Sequence, residues 1–119
     1  MSEVILVGLG GAFGAIFRYL LSLVPLKGDF PFMTLITNIL GAFVIGIVVG
    51  WFGGGRMSPH MQLFLKTGVC GGFTTFSTFS LESLSLFEQG HVYMGMLYIV
   101  LSVVGCIIGV FLGKYLSLR

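Results

Sequence analysis

Residues 68–80 read Gly68-Val69-Cys70-Gly71-Gly72-Phe73-Thr74-Thr75-Phe76-Ser77-Thr78-Phe79-Ser80, and this hydroxyl-rich stretch decides the fold. Glycines that weaken a helix are followed by threonines and serines, and phenylalanines recur every third residue. The hydropathy of the chain requires this stretch to cross a membrane. Irregular backbone is tolerated at membrane depth only where it is buried in protein or lines a water-filled path. The stretch therefore marks the functional site, and the other spans hold it in place.

Composition identifies an integral membrane protein. The 119 residues have a mean hydropathy of +1.08, and only 8% of them are charged, whereas a soluble domain carries about 25%. The first residues offer no basic region of a cleaved signal, so we expect the first apolar run to be retained. Cys70 and Cys106 lie in apolar segments and indicate buried side chains rather than a disulfide. A net charge of +2 without a clustered basic face predicts no nucleic-acid partner.

Hydropathy predicts an all-α, multi-pass domain covering residues 1–119, with four transmembrane helices. At about 20 residues per crossing, the helices fall at residues 4–24, 32–54, 61–87 and 92–116. The links are short, so successive helices are antiparallel and both termini lie on one side. The glycines and threonines of residues 71–75 predict a break in the third helix near the bilayer midplane. The alternative is an unbroken, glycine-rich helix packed tightly on a neighbour.

The third span is too polar to face lipid along its whole length, so we expect a homo-oligomer, most simply a dimer. Strips of glycine at every fourth position, such as Gly10 and Gly14, let helices approach closely, although they serve packing within one chain equally well. The positive-inside rule mildly favours cytoplasmic termini, and insertion both ways stays open. The side of the termini holds Arg56, Lys66, Lys114 and Arg119, and the other side holds Arg18 and Lys27.

Polar residues inside the spans are candidates for function. Arg18 and Asn38 each lie roughly 9 Å below the same membrane surface, so a guanidinium and an amide meet at one depth and favour an anion. The alternatives are snorkelling for Arg18 and an interhelical hydrogen bond for Asn38. Glu82 and Lys66 lie nearer the ends of the third span, which favours a structural pairing or an interfacial position.

Two further patterns have both a structural and a functional interpretation. Phe76 and Phe79 share a helix face, which is typical of a core, although the positive edges of their rings also suit an anion. Tyr98 and Ser102 share a face of the last helix, as a packing seam or as a hydroxyl track beside a pathway. No catalytic dyad or metal cluster is visible, and the glycine-rich start of the first span lacks the third glycine of a dinucleotide site, so we expect no enzyme.

Three motifs together resemble the small fluoride channels of the CrcB/Fluc family. They are Gly10-Gly11-Ala12-Phe13-Gly14-Ala15-Ile16-Phe17-Arg18-Tyr19, Thr34-Leu35-Ile36-Thr37-Asn38-Ile39-Leu40-Gly41, and Gly71-Gly72-Phe73-Thr74-Thr75-Phe76-Ser77-Thr78-Phe79-Ser80. The resemblance implies an antiparallel, dual-topology homodimer in a prokaryotic plasma membrane. It also implies two fluoride pores along the subunit interface, through which fluoride leaves the cytoplasm passively.

The same resemblance implies roles for individual residues. Asn38 matches the pore asparagine, and Phe76 and Phe79 match the ring-edge pair that faces the ion. Arg18 matches an arginine that makes the vestibule attractive to anions. The further pore-lining polar positions are Thr34, Tyr98 and Ser102, and the backbone carbonyls implied to hold a structural sodium ion on the dimer axis are those of Gly71 and Thr74, two from each subunit.

Two rival classes of protein remain open at this point. A proton-coupled small multidrug transporter also has four short helices, but it is expected to carry an embedded glutamate in its first helix, where this chain has only Glu3 at the terminus. A purely structural assembly protein explains the glycine strips and leaves the amide and hydroxyl positions without a purpose.

Overall fold

The protein is an all-helical bundle, as predicted. The computed structural model describes residues 1–118, so Arg119, which entered the charge comparison, lies outside the described residues. Within residues 1–118 the regular structure is entirely helical. The helices are α1 (Ser2–Ser22), α2 (Phe32–Gly53), α3 (residues 59–73), α4 (Phe76–Glu88) and α5 (Val92–Ser117).

Three of these helices are long and apolar enough to cross a membrane, which confirms the prediction of a membrane protein. They are α1, α2 and α5, with mean hydropathies of 1.9, 2.3 and 2.5 over the described residues. The span predicted at residues 61–87 is divided between α3 and α4, and each of these is shorter than the about 20 residues of a full crossing. The two helices follow one another along the chain and together occupy the place of the predicted third span.

The chain leaves the helical conformation at Thr74 and Thr75. Helix α3 starts with an α-helical turn at Pro59–Gln62, is wound as a π-helix over Leu63–Cys70, and ends with Gly71–Phe73. Thr74 (φ −85°, ψ 153°) and Thr75 (φ −148°, ψ 115°) are extended. Helix α4 then begins, because the Thr75 hydroxyl accepts a hydrogen bond from the Thr78 amide at 3.1 Å and so caps the new helix.

The helices pack as two pairs, α1 on α3 and α2 on α5, and glycines bring their backbones together. A Cβ on Gly10 of α1 would lie 2.5 Å from the Phe64 carbonyl oxygen and 2.9 Å from Gly68 Cα of α3. In the same way Gly46 of α2 lies under the backbone of α5. The glycine strips therefore serve packing within one chain.

This close contact makes Gly10→Ala destabilising. The added methyl meets backbone atoms, which cannot rotate away, so we expect the variant to lose about 1–3 kcal/mol of folding free energy. Thermal unfolding of the purified protein in detergent measures the loss. Gly8→Ala is the matched control, because a Cβ at Gly8 has no atom within 4 Å. If the two variants melt at the same temperature, α1 and α3 can move apart to accept the methyl group at little cost in folding free energy.

Candidate functional site

The extended backbone between α3 and α4 is held by Asn38 of α2. The Asn38 Nδ2 donates to the Thr75 carbonyl oxygen at 3.1 Å, and the Thr75 amide donates to Asn38 Oδ1 at 2.8 Å. The buried side-chain amide thus pairs with both backbone groups of Thr75 in the way that a neighbouring strand would. It satisfies a donor and an acceptor that lost their helical partners where the helix is interrupted.

Arg18 of α1 holds the other side of the interruption. Its Nε donates to the Gly72 carbonyl oxygen at 3.1 Å, at the last turn of α3, where a positive charge complements the helix dipole. Arg18 and Asn38, which the sequence places at one depth, both bond to the third span. Among the described residues they share no hydrogen bond, because each side chain is directed to a different backbone group of the third span.

Arg18 and Thr34 line a cavity of about 300 Å³ between α1, α2 and α4, which we call the polar cavity. Its walls are rich in hydroxyl groups, and its one charged side chain is the guanidinium of Arg18. An anion is therefore the ion that the polar cavity favours. The residues that line it are Ala15, Arg18, Tyr19, Ser22, Met33, Thr34, Thr37, Thr75 and Thr78.

A second space, of about 410 Å³, lies beside α5 on the other side of Thr75, and we call it the aromatic groove. It brings together Asn38, Phe76, Phe79 and Ser102, four of the residues predicted from the sequence. Thr75 lines both spaces and so forms the wall between them, and Asn38, which lines the groove, is bonded to it. The remaining lining is mostly apolar and comes from Gly41, Ala42, Ile45, Thr74, Val103, Cys106, Ile107 and Val110.

The two phenylalanines of the aromatic groove differ in exposure. The ring of Phe76 is 77% exposed in the single chain, whereas Phe79 is 9% exposed, and their centroids lie 5.5 Å apart. Phe79 packs on Tyr98, with centroids 5.2 Å apart. Tyr98 is completely buried behind Phe79 and lines neither space, and its hydroxyl donates to Glu82 Oε1 at 3.4 Å. Tyr98 therefore contacts the predicted pore residue Phe79 from behind and does not itself line the groove.

Ser102 presents an unused hydroxyl to the aromatic groove. Its Oγ is buried and has no hydrogen-bond partner within residues 1–118. A buried hydroxyl without a partner costs about 1–3 kcal/mol. Ser102 is therefore a donor that the described chain leaves without an acceptor.

The carbonyl groups of Gly71 and Thr74 lack the donors that an unbroken helix would give them. The amide four residues after Gly71 is that of Thr75, which is bonded to Asn38 Oδ1. The amide four residues after Thr74 is that of Thr78, which is bonded to Thr75 Oγ1. Side chains have taken both donors, so these two carbonyls suit a hard cation as a ligand set.

The chain matches a model of a known protein family. The model described as "CrcB-like protein, Camphor Resistance (CrcB)" matches residues 5–114. The chain belongs to the CrcB family. This membership decides against the small multidrug transporter class, and the CrcB relatives described below are named as ion channels, so the protein is not an enzyme.

Curated relatives of this CrcB protein match it over nearly its whole length, and each is named "Fluoride-specific ion channel FluC". The protein from Methanococcus maripaludis is 46% identical, covering 99% of this chain and 98% of its own. The protein from Methanocaldococcus jannaschii is 44% identical, covering 98% and 94%. The protein from Shewanella halifaxensis is 43% identical, covering 98% and 96%.

Thr75 of the CrcB protein was not predicted as a site residue. Thr75 lies in the quoted stretch, but its role is carried by its backbone amide and carbonyl, which every residue has. Thr37 and Thr78 of the polar cavity were missed as well. For Thr37 the available signal is its spacing of three from Thr34, since residues three apart share a helix face.

Proposed function

We propose that the protein is a fluoride-selective passive ion channel that exports cytoplasmic fluoride across the plasma membrane. The observation that carries the proposal is the aromatic groove, in which an amide, a hydroxyl without a partner and two phenylalanines meet at the interruption of the third span. The relatives named as fluoride-specific channels support the choice of ion.

The chemistry of the aromatic groove suits a small, strongly hydrated anion. An amide nitrogen has two hydrogens, and Asn38 Nδ2 uses one of them on Thr75, so the second is available to an ion. The Ser102 hydroxyl supplies another donor, and the phenylalanine rings offer their positive edges. These neutral groups replace water around fluoride without the strong binding of a fixed charge, which is what conduction requires.

The polar cavity is the entrance that feeds this groove. Arg18 is half-buried there, and none of the described residues that line the cavity or the groove is acidic. A positive charge without a neighbouring carboxylate raises the local concentration of anions. Threonine hydroxyls then accompany the ion from Arg18 to the wall formed by Asn38 and Thr75.

A second copy of the chain completes the pathway. The aromatic groove is open along one side, and Phe76 is largely exposed beside it. An antiparallel partner would close the groove and present its own Phe76, and twofold symmetry would give two pores per dimer. The small difference in positive charge between the two sides of the membrane, four residues against two, supports insertion in both orientations.

Sodium fits at the centre of this dimer as a structural ion. The carbonyls of Gly71 and Thr74 have lost their helical donors, and Gly71 lies at the surface of the single chain. Two carbonyls from each subunit would supply four oxygen ligands, which are the ligands that hard cations prefer. The cation would also add positive potential beside both pores.

Efflux from liposomes tests the function. Purified protein is reconstituted with both halides inside, and fluoride and chloride electrodes follow their release under a potassium–valinomycin shunt. We expect rapid loss of fluoride with chloride retained, and empty liposomes as the control should keep both ions. No flux of either ion from folded protein would overturn the channel. Protein purified and reconstituted without sodium should lose flux. If its flux equals that of the protein kept in sodium, the proposal of a structural sodium ion fails, whereas the proposal of a channel stands.

A further inference from the structure

Asn38 holds two successive peptide groups of the interruption, one with each end of its side-chain amide. Its Nδ2 donates to the Thr75 carbonyl oxygen at 3.1 Å, which belongs to the peptide group between Thr75 and Phe76. Its Oδ1 accepts from the Thr75 amide at 2.8 Å, which belongs to the peptide group between Thr74 and Thr75. The second bond therefore acts on the peptide group that carries the Thr74 carbonyl.

This second bond sets the direction of the Thr74 carbonyl. A trans peptide group is planar, and its N–H and C=O point in opposite directions. No peptide bond within residues 1–118 is cis. Because the Thr75 N–H points at Asn38 Oδ1, the Thr74 carbonyl points away from Asn38. Turning that carbonyl to another direction would break the bond between Thr75 and Asn38.

The rest of Thr74 is fixed by contacts within the chain. Its amide and its hydroxyl both donate to the Cys70 carbonyl oxygen, at 3.0 and 2.8 Å. Its methyl group packs against Gly41 of α2, where there is no room for a Cβ. The carbonyl is the one polar group of Thr74 without a hydrogen-bond partner in residues 1–118. A ligand oxygen whose position is fixed before binding loses little entropy when it binds an ion.

The bond between Thr75 and Asn38 also makes the Thr74 oxygen a stronger ligand. Hydrogen bonds in series polarise one another, so an N–H that donates makes the oxygen of its own peptide group more negative. Asn38 is buried, so water weakens this effect little. We propose that Asn38 is a positioning residue for the sodium ion, because its Oδ1 orients the Thr74 carbonyl, while the free hydrogen on Nδ2 serves the anion path. The inference rests on the sodium ion of the proposed function and adds the side chain that orients its ligand.

Sodium binding by Asn38→Ala tests the proposal. Protein purified without sodium is brought to equilibrium with radioactive sodium by dialysis, and the bound ion is counted at each free concentration. Alanine offers no acceptor to the Thr75 amide, and one such hydrogen bond is worth about a factor of five in an equilibrium constant. A dimer contributes two Thr74 carbonyls, so we expect the sodium dissociation constant to rise about 25-fold.

Asn38→Asp keeps the acceptor that orients the carbonyl. A carboxylate oxygen can still accept from the Thr75 amide, and its negative charge also favours a nearby cation. We therefore expect its sodium dissociation constant to stay at or below about twice that of the unaltered protein. Fluoride flux should rank the two variants in the opposite order, because the added charge repels the anion. A residue that only supported the fold would weaken sodium binding and flux together.

Ser83→Ala is the matched control. It also removes a buried hydrogen bond, from the Ser83 hydroxyl to the Phe79 carbonyl oxygen at 2.8 Å, but it leaves the peptide group after Thr74 unchanged. It should bind sodium like the unaltered protein.

Two results would overturn the role of Asn38 and leave the sodium ion in place. One is equal sodium binding by Asn38→Ala and Ser83→Ala, and the other is binding by Asn38→Asp as weak as that by Asn38→Ala. If the unaltered protein binds no sodium, the sodium ion of the proposed function fails together with this inference. Fluoride efflux decides the channel separately.

Discussion

Asn38→Asp is expected to abolish fluoride flux while the protein still folds. The substitution replaces the Nδ2 donor by an oxygen, so it removes the hydrogen bond to the Thr75 carbonyl. The new carboxylate oxygen would then lie about 3.1 Å from the Thr75 carbonyl oxygen, the distance at which Nδ2 now donates. It also puts a negative charge in the wall between the polar cavity and the aromatic groove. A unit charge about 4 Å from a permeating anion costs about 4 kcal/mol at an effective dielectric constant of 20. The flux should therefore fall about a thousand-fold.

Asn38→Ala separates the charge from the lost hydrogen bonds. This neutral variant also gives up both bonds to Thr75, and its flux should fall about ten-fold, because hydrogen bonds of this kind are worth about 0.5–1.5 kcal/mol each. Liposome efflux compares the two variants at equal amounts of folded protein. Flux through Asn38→Asp that equals or exceeds flux through Asn38→Ala would place the anion path away from Asn38.

The class of protein is readable from the sequence because it depends on composition. Hydropathy alone predicts apolar helices that cross a membrane, and α1, α2 and α5 confirm it. The family is readable because the block at residues 71–80 keeps its order and spacing, and the family model confirms this as well. Both inferences need side-chain identities and no knowledge of three-dimensional contacts.

The partners of Arg18 and Tyr98 are a different case, because they depend on three-dimensional contacts. The sequence places Arg18 and Asn38 at one depth, yet each bonds to a separate backbone group of the third span, and backbone groups leave no mark on residue identity. Tyr98 and Ser102 share a helix face, but Ser102 faces the groove while Tyr98 meets Phe79 and Glu82 one turn earlier. The π-winding of Leu63–Cys70 also shifts which residues share a face, and a pattern based on 3.6 residues per turn does not follow that shift.

Phe76→Ile is expected to lower fluoride flux strongly with little effect on folding of the chain. The ring of Phe76 is 77% exposed, so it contributes little to the core of a single subunit. Its function in the proposed pore is the positive edge of the ring, which isoleucine lacks. Contacts made by the positive edge of an aromatic ring are worth about 0.5–1.5 kcal/mol beyond the burial of the ring, which corresponds to as much as about a ten-fold loss of flux.

The matched control is Phe111→Ile, because Phe111 is 66% exposed on α5 and does not line the aromatic groove. Both variants change the same side chain at a similar exposure, so any general effect of the substitution cancels between them. We expect Phe111→Ile to conduct like the unaltered protein in the efflux assay. Unchanged flux in Phe76→Ile would make Phe76 a packing residue of the subunit interface. The anion would then depend on Asn38, Phe79 and Ser102, which are buried and line the aromatic groove.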